Sequence, residues 1–478
     1  MKRQYAKLAV TAASLLLALS LLHACSEKGP HASWTYDSVV YEMNVRQYTA
    51  EGNFQAAAKQ LPRLKELGVD IVWLMPIYEI GQKERKGSLG SYYAIRDYTS
   101  VNPEFGDYAD FDHFVSEAHA LGLKVILDFV ANHTSPDCPW VSEKPSDWYL
   151  RDSLGNTLVE YDWTDIAKLN YENADMRAAV QDAMRFWLDR GVDGFRCDMA
   201  FLVPQDFWTE TISALRSEYR QELYFLAEGE KPWLHDAGFD ASYSWELHHM
   251  LNAIAQGKSN ADSLRNYLVR NVEEYGNDAF RLMFTSNHDE NSWAGTEFER
   301  MGDAAELMAA LTFTLPQGQP LIYTGQEVGF DHRFLFFEKD PIPGWEENDY
   351  TAMYRELCRL RHTRPALRPG KEGSFEFLTS SSDEGSLDDK VLAFKRMNAG
   401  DTLTVIANLS AEPVNAVVRT AEGEEIHCGL NPWGYMLKYE LADYEKMLSE
   451  VVADEATLEE WIFDKQKAEV IFALEGEK

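Results

Sequence analysis

The chain is 478 residues long and carries 78 acidic against 45 basic side chains, a formal net charge of −33. That surplus repels phosphate backbones and argues against nucleic acid as a partner, while the 45% hydrophobic content excludes a disordered or collagen-like chain. The length suits about three folding units, and the aromatic load (24 Phe, 23 Tyr, 13 Trp) suits a neutral ligand with flat apolar faces, such as a sugar.

In chain order, Lys2, Arg3 and Lys7 give a positive start, followed by an almost unbroken apolar run from Leu8 to Leu22 that ends in Leu22-His23-Ala24-Cys25. This is the pattern of an export signal over residues 1–24, too short for the roughly 20 residues that span a bilayer. The Leu-x-Ala-Cys ending resembles a bacterial lipoprotein signal. The resemblance implies a lipid on Cys25, membrane attachment through that anchor only, and an exported protein on the periplasmic or cell-surface face of the outer membrane. Cys138, Cys197, Cys358 and Cys428 have neither CxxC nor Cys/His spacing, so they read as buried small hydrophobes and not as a zinc site.

From Val39 onward, short apolar runs alternate with amphipathic stretches. Strands are expected at Val39–Tyr48, Val69–Ile77, Lys124–Phe129, Gly194–Met199, Leu223–Ala227, Phe239–Tyr243, Arg281–Thr285 and Pro320–Tyr323. Helices are expected at Ala56–Leu67, Asp110–Leu121, Asp175–Arg190, Gln205–Arg220, Asp303–Leu315 and Tyr350–Arg361, with Gly68, Gly122 and Gly191 as stop signals. Eight strand–helix repeats favour an α/β fold, a closed (β/α)8 TIM barrel, over an open sheet. The barrel is expected in two parts, 33–133 and 175–365. Between them, 134–174 is an insert whose Trp140, Trp148, Tyr149, Tyr161 and Trp163 are expected to wall a cleft. Residues 366–440 alternate like a C-terminal antiparallel β-sandwich, and 441–478 read as an acidic helical tail.

Barrel sites form at the carboxyl ends of the strands. Four exits here carry strong groups: Asp128 to His133 on strand three, Arg196-Cys197-Asp198 on strand four, Glu228 after strand five, and His288-Asp289 after strand seven. A lone carboxylate at a strand end is usually a cap or a salt-bridge partner. Three converging on one point, with an arginine and two histidines, give a structural protein nothing, because crowded negative charge is costly. They are the requirements of glycoside hydrolysis through a nucleophilic carboxylate and a proton-donating carboxyl group. Arg196 lies two residues before Asp198, on the same strand face, where it would hold Asp198 ionised. Glu228 would then protonate the leaving oxygen, Asp289 would bind hydroxyls and positive charge, and His133 and His288 would donate hydrogen bonds.

These four segments resemble the signature regions of the α-amylase family, glycoside hydrolase family 13, in order and on the expected strands, from Val39 to about Tyr439. The resemblance implies Asp198 as nucleophile, Glu228 as general acid/base and Asp289 as transition-state stabiliser. It implies Arg196, His133 and His288 at the substrate, and Asp128 and Asn132 in structural positions nearby. Tyr93 looks like the tyrosine that stacks on the cleaved sugar, and Asp97 matches an aspartate four residues on. The implied activity is retaining hydrolysis of α-glucosidic bonds in starch-like glucans or maltooligosaccharides. Transglycosylation, or a catalytically silent glycan-binding relative, is the alternative.

Two departures bear on this. Many relatives bind a structural calcium with Asn132 and an insert aspartate, but the matching stretch, Ala167-Lys168-Leu169-Asn170, has a lysine there. No cofactor is expected to be required; a structural calcium is possible but doubtful with Lys168 at that position, because an ammonium cannot ligate a metal. Relatives acting on pullulan and cyclodextrins resemble this lysine version. Asp198 is also followed by Met199-Ala200-Phe201-Leu202, without the Lys-His pair typical of starch-cleaving members. Linkage preference, internal or terminal cleavage and oligomeric state are not encoded in any motif.

Overall fold

The computed structural model describes residues 31–370 and 373–439; the expected leader, Cys25 and the 441–478 tail lie outside the described residues. Short β-branched and aromatic runs form eight strands: β1 (Val40–Met43), β2 (Ile71–Leu74), β3 (Lys124–Val130), β4 (Gly194–Asp198), β5 (Tyr224–Ala227), β6 (Ala241–Tyr243), β7 (Phe280–Met283) and β8 (Gly318–Tyr323). Each pairs in parallel with its sequence neighbours, and β8 pairs with β1, so the sheet closes in chain order. Strands β3 and β7 therefore stand on opposite sides of the barrel.

The longer helices between and after the strands are α1 (Leu61–Leu67), α2 (Tyr108–Ala120), α3 (Ala174–Leu188), α4 (Gln205–Glu218), α5 (Trp245–Ala255), α6 (Ala261–Tyr275), α7 (Ala305–Thr314) and α8 (Asp349–Thr363); α5 and α6 both follow β6, and β5 is followed only by the short helix Trp233–Asp236. Their starts are chemically marked. Asp107 and Asp110 form a reciprocal capping box on α2, and Asn173 accepts the Met176 N–H on α3. Gly68 ends α1 in the left-handed region (φ 98°), where a Cβ would lie 2.6 Å from Cys358 Cβ. At the start of β4 a Cβ on Gly194 would meet the Tyr224 carbonyl oxygen at 1.8 Å, so only glycine lets β4 and β5 approach.

Trp73, Ile126, Leu226, Tyr243 and Leu282 belong to a core cluster separate from the larger one between strands and helices. Two four-stranded antiparallel sheets follow the barrel. One contains β9 (Ser374–Phe377), β12 (Val391–Asn398), β13 (Asp401–Asn408) and β16 (Tyr435–Tyr439). The other contains β10 (Thr379–Ser382), β11 (Gly385–Ser386), β14 (Val414–Arg419) and β15 (Glu425–Leu430). Ala393 and Ile406 of the first share a core with Val418 and Leu430 of the second.

Several expectations are corrected. The run Val39–Tyr48 is a strand only to Met43, and Val45–Tyr48 is a helical turn. The helix expected over Ala56–Leu67 is two, Phe54–Ala58 and α1, because Pro62 lacks an N–H and belongs in a first turn. Helices α5 and α6 and strands β10, β11 and β15 were not foreseen. Within the insert, Trp148 and Tyr149 are buried as part of the main core, and Tyr161 is exposed. The four cysteines are buried and free, as the sequence suggested.

Candidate active site

Adjacent strands bring the first charges together. Asp128 on β3 and Arg196 on β4 are register partners with fully buried side chains. Arg196 Nη1 donates to Asp128 Oδ1 at 3.0 Å and to Asp198 Oδ1 at 3.1 Å. Its Nη2 lies 3.0 Å from Glu228 Oε2, an ion pair without hydrogen-bond alignment. The guanidinium thus serves three carboxylates and is not reserved for Asp198. Burial and the charge of Glu228 together push the Asp198 carboxyl well above the usual carboxylate range, with Arg196 opposing. The arginine expected beside Asp198 is present, and Asp128 and Glu228 share it.

Two backbone features hold this pair. The Glu228 N–H donates to the Cys197 carbonyl at 3.0 Å, locking the end of β5 to β4. Met199, next after Asp198, takes a left-handed conformation (φ 43°, ψ 40°), and its N–H donates to Glu228 Oε2 at 2.8 Å. Such a backbone is disfavoured for a residue with a Cβ and is retained where the surrounding structure fixes it. Asp198 Oδ2 is buried and has no hydrogen-bond partner among the described residues.

The two histidines occupy opposite electrostatic settings. Burial disfavours charge on His288, but Asp289 and Glu42 outweigh it and raise the imidazole to about 9. Accordingly both ring nitrogens donate, Nδ1 to Glu42 Oε1 at 2.5 Å and Nε2 to the Tyr93 hydroxyl at 2.8 Å, with Asp289 Oδ2 at 3.4 Å. Asp289 itself keeps 40% of its side chain open to solvent. Burial lowers His133 to about 4 and keeps it neutral. The Asn132 amide lies 3.2 Å from His133 Nδ1; with the amide as donor, the ring proton is assigned to Nε2, which is buried and without a partner among the described residues.

Tyr93 joins the cluster as expected: its hydroxyl donates to Asp128 Oδ2 at 3.0 Å and its ring stacks on His288 at 5.2 Å. Asp97 does not. Its carboxylate accepts the Thr99 N–H and hydroxyl and shapes a turn. Three members were not singled out from the sequence: Glu42 at the end of β1, Tyr243 (3.3 Å from Arg196 Nε) and Trp73, whose indole N–H donates to Asp128 at 3.3 Å. Glu42 is also a carboxylate at a strand exit, but the strand expected to run to Tyr48 placed it inside the run, and an aromatic within a strand run carries no signal.

The family model for the α-amylase catalytic domain matches residues 32–153 and 144–356. The chain belongs to the α-amylase family. Among its α-amylase relatives, MalA of Haloarcula japonica is 30% identical over 80% of this chain, which spans 56% of that protein's length. The crystal structure of an α-amylase from Lactobacillus plantarum superposes with a TM-score of 0.74 at 30% identity, covering 85% of this chain and 99% of that one. That of a noncanonic maltogenic α-amylase, AmyB from Thermotoga neapolitana, gives 0.73 at 29% identity, covering 81% and 90%.

For this α-amylase-family chain the His288 pair makes a pH prediction. A folded pKa of about 9 against an unfolded one of roughly 6.5 means the contribution is complete below about pH 6.5 and is lost as pH rises through about 9. Denaturant unfolding of the wild type and His288→Gln from pH 6 to 10 should show a stability gap that narrows over that window. A gap independent of pH would contradict it.

Proposed function

We propose that this protein is a retaining glycoside hydrolase of α-glucosidic bonds in starch-like glucans or maltooligosaccharides, with Asp198 as nucleophile, Glu228 as acid/base and Asp289 as stabiliser. The observation that carries this reading is the asymmetry at Asp198: Arg196 tethers Oδ1, while Oδ2 is unpartnered beside Glu228. With Glu228 entering as the acid and Asp198 as the carboxylate, Asp198 Oδ2 attacks the anomeric carbon as the glycosidic C–O bond breaks, and the Glu228 proton passes to the leaving oxygen. Glu228, now a carboxylate, takes a proton from water, whose oxygen attacks the anomeric carbon and releases Asp198. Asp289 faces the positive charge that develops on the sugar, and neutral His133 donates Nε2–H to a hydroxyl. Asp198→Asn and Glu228→Gln should each cut turnover of a maltooligosaccharide panel on the order of 10³-fold or more, with far-ultraviolet circular dichroism unchanged. Substantial residual activity in a clean preparation would refute the assignment.

The residues at the family's calcium position do not fit a metal. Lys168 Nζ lies 2.5 Å from Glu160 Oε2, which the Asn132 amide also approaches at 3.4 Å. The His133–Thr134 strand pairs with Ala167–Lys168, so the ammonium sits where the insert returns to the barrel. We propose that Lys168 supplies the positive charge there without a metal. Exhaustive chelation should leave activity and the unfolding midpoint unchanged; loss restored by calcium would contradict this.

We also propose, from the sequence alone, export and lipid anchoring through Cys25 at the outer membrane. Membrane fractionation of the intact and Cys25→Ser proteins reads this directly, and an unchanged distribution would refute it.

A further inference from the structure

Immediately after Asp289 the chain makes a π-turn, Glu290–Ala294, closed by the Gly295 N–H donating to the Glu290 carbonyl at 2.9 Å. Such wide turns are rare and recur at functional sites. This one lifts Trp293 into solvent, 58% exposed. A single exposed aromatic needs no explanation, but Trp293 is the outer end of a continuous series of rings. It contacts Phe336 at 5.3 Å and Phe337 at 5.8 Å between ring centroids. Phe336 lies parallel to Tyr93 at 6.4 Å, and Tyr93 stacks on His288 beside Asp289.

The arrangement is built in. Asn291, buried within the π-turn, donates to the His332 carbonyl at 3.0 Å and accepts the Phe334 N–H at 2.9 Å. These bonds fix the segment carrying Phe336 and Phe337 to the turn carrying Trp293. The Leu89 N–H donates to the Phe337 carbonyl at 3.0 Å and anchors the same segment from the β2 side. Two loops from different strands are thus bonded into one apolar shelf that begins at the carboxylates and ends in solvent.

We propose that Trp293, on its Phe336–Phe337 support, is a binding subsite for a glucosyl unit beyond the one being cleaved, and that it sets preference for longer glucan chains. The indole offers an apolar face to the C–H face of a sugar ring and an N–H to its hydroxyls. The shelf lies on the β7–β8 side, whereas Tyr161, in ring contact with Trp163 and through it His133, lies on the β3 side, opposite in the barrel. The glucan engaging Trp293 therefore runs away from the insert. This inference rests on the glycosidase reading above.

The test compares kcat/KM on maltotriose and maltoheptaose for the wild type, Trp293→Ala and Trp293→Phe, with quenching of tryptophan fluorescence by maltoheptaose as a readout that needs no turnover. Trp293→Ala should lower kcat/KM about tenfold more on maltoheptaose than on maltotriose and remove the sugar-dependent quenching, and Trp293→Phe should recover most of the length dependence. Equal losses on both sugars, or no loss, would overturn the subsite. If the wild type cleaves neither sugar, the glycosidase reading fails. Quenching then decides the shelf alone: quenching lost in Trp293→Ala upholds it, and quenching unaffected or absent overturns it.

Discussion

Arg196, sealed from water beneath the barrel mouth, lies within 3.1 Å of oxygens from Asp128, Asp198 and Glu228. One cation cannot balance three carboxylates in a setting where each unpaired charge is costly. Two of the three carboxylates, Asp198 and Glu228, keep some solvent exposure, whereas Asp128 has none. Burial and the charge of Glu228 push the Asp198 carboxyl well above the usual carboxylate range, against the pull of Arg196. A retaining glycosidase needs two neighbouring carboxyl groups, one to give a proton away while the other attacks.

The rest of the site sustains this imbalance. Glu42 and Asp289 beside His288 hold it cationic, and its charge also acts on Asp128, to which the Tyr93 hydroxyl links it. His133, with the Asn132 amide at its Nδ1 and deep burial, stays neutral. The same side chain serves as an ion at one strand exit and as a dipole at the opposite one, and the difference lies entirely in the neighbours. Met199 contributes through its backbone: its left-handed turn aims an N–H at Glu228. Lys168 repeats the logic in the insert, holding Glu160 with an ammonium.

Much of this was legible in the sequence. Strand runs in a parallel barrel are buried on both faces and stand out as apolar blocks, and polar residues at their ends mark the mouth. Hence β3, β4, β5 and β7 and their site residues were readable. Glu42 escaped because the apolar run around it continues through Val45 and Tyr48, which hides the strand's end at Met43. The division of Arg196 among three partners depends on the register of β3 against β4, which no spacing within one strand reveals. Asp97 misled because a motif match fixes a position in the chain and not what the side chain does there; a nearby Thr99 captured it. Of the insert's aromatics, Trp148 and Tyr149 join the main core, while Trp163 reaches His133 and carries Tyr161 beside it.

The central claim is that Asp198, and no other carboxylate in the cluster, forms the bond to sugar. Inactivation by an activated 5-fluoro-α-glucosyl fluoride, whose fluorine slows release of the covalent intermediate, followed by peptide mass spectrometry, tests it most directly. The account predicts a single glucosyl adduct on Asp198 that turns over slowly and restores activity. An adduct on Glu228 or Asp289, or time-dependent inactivation with Asp198 unmodified, would contradict it.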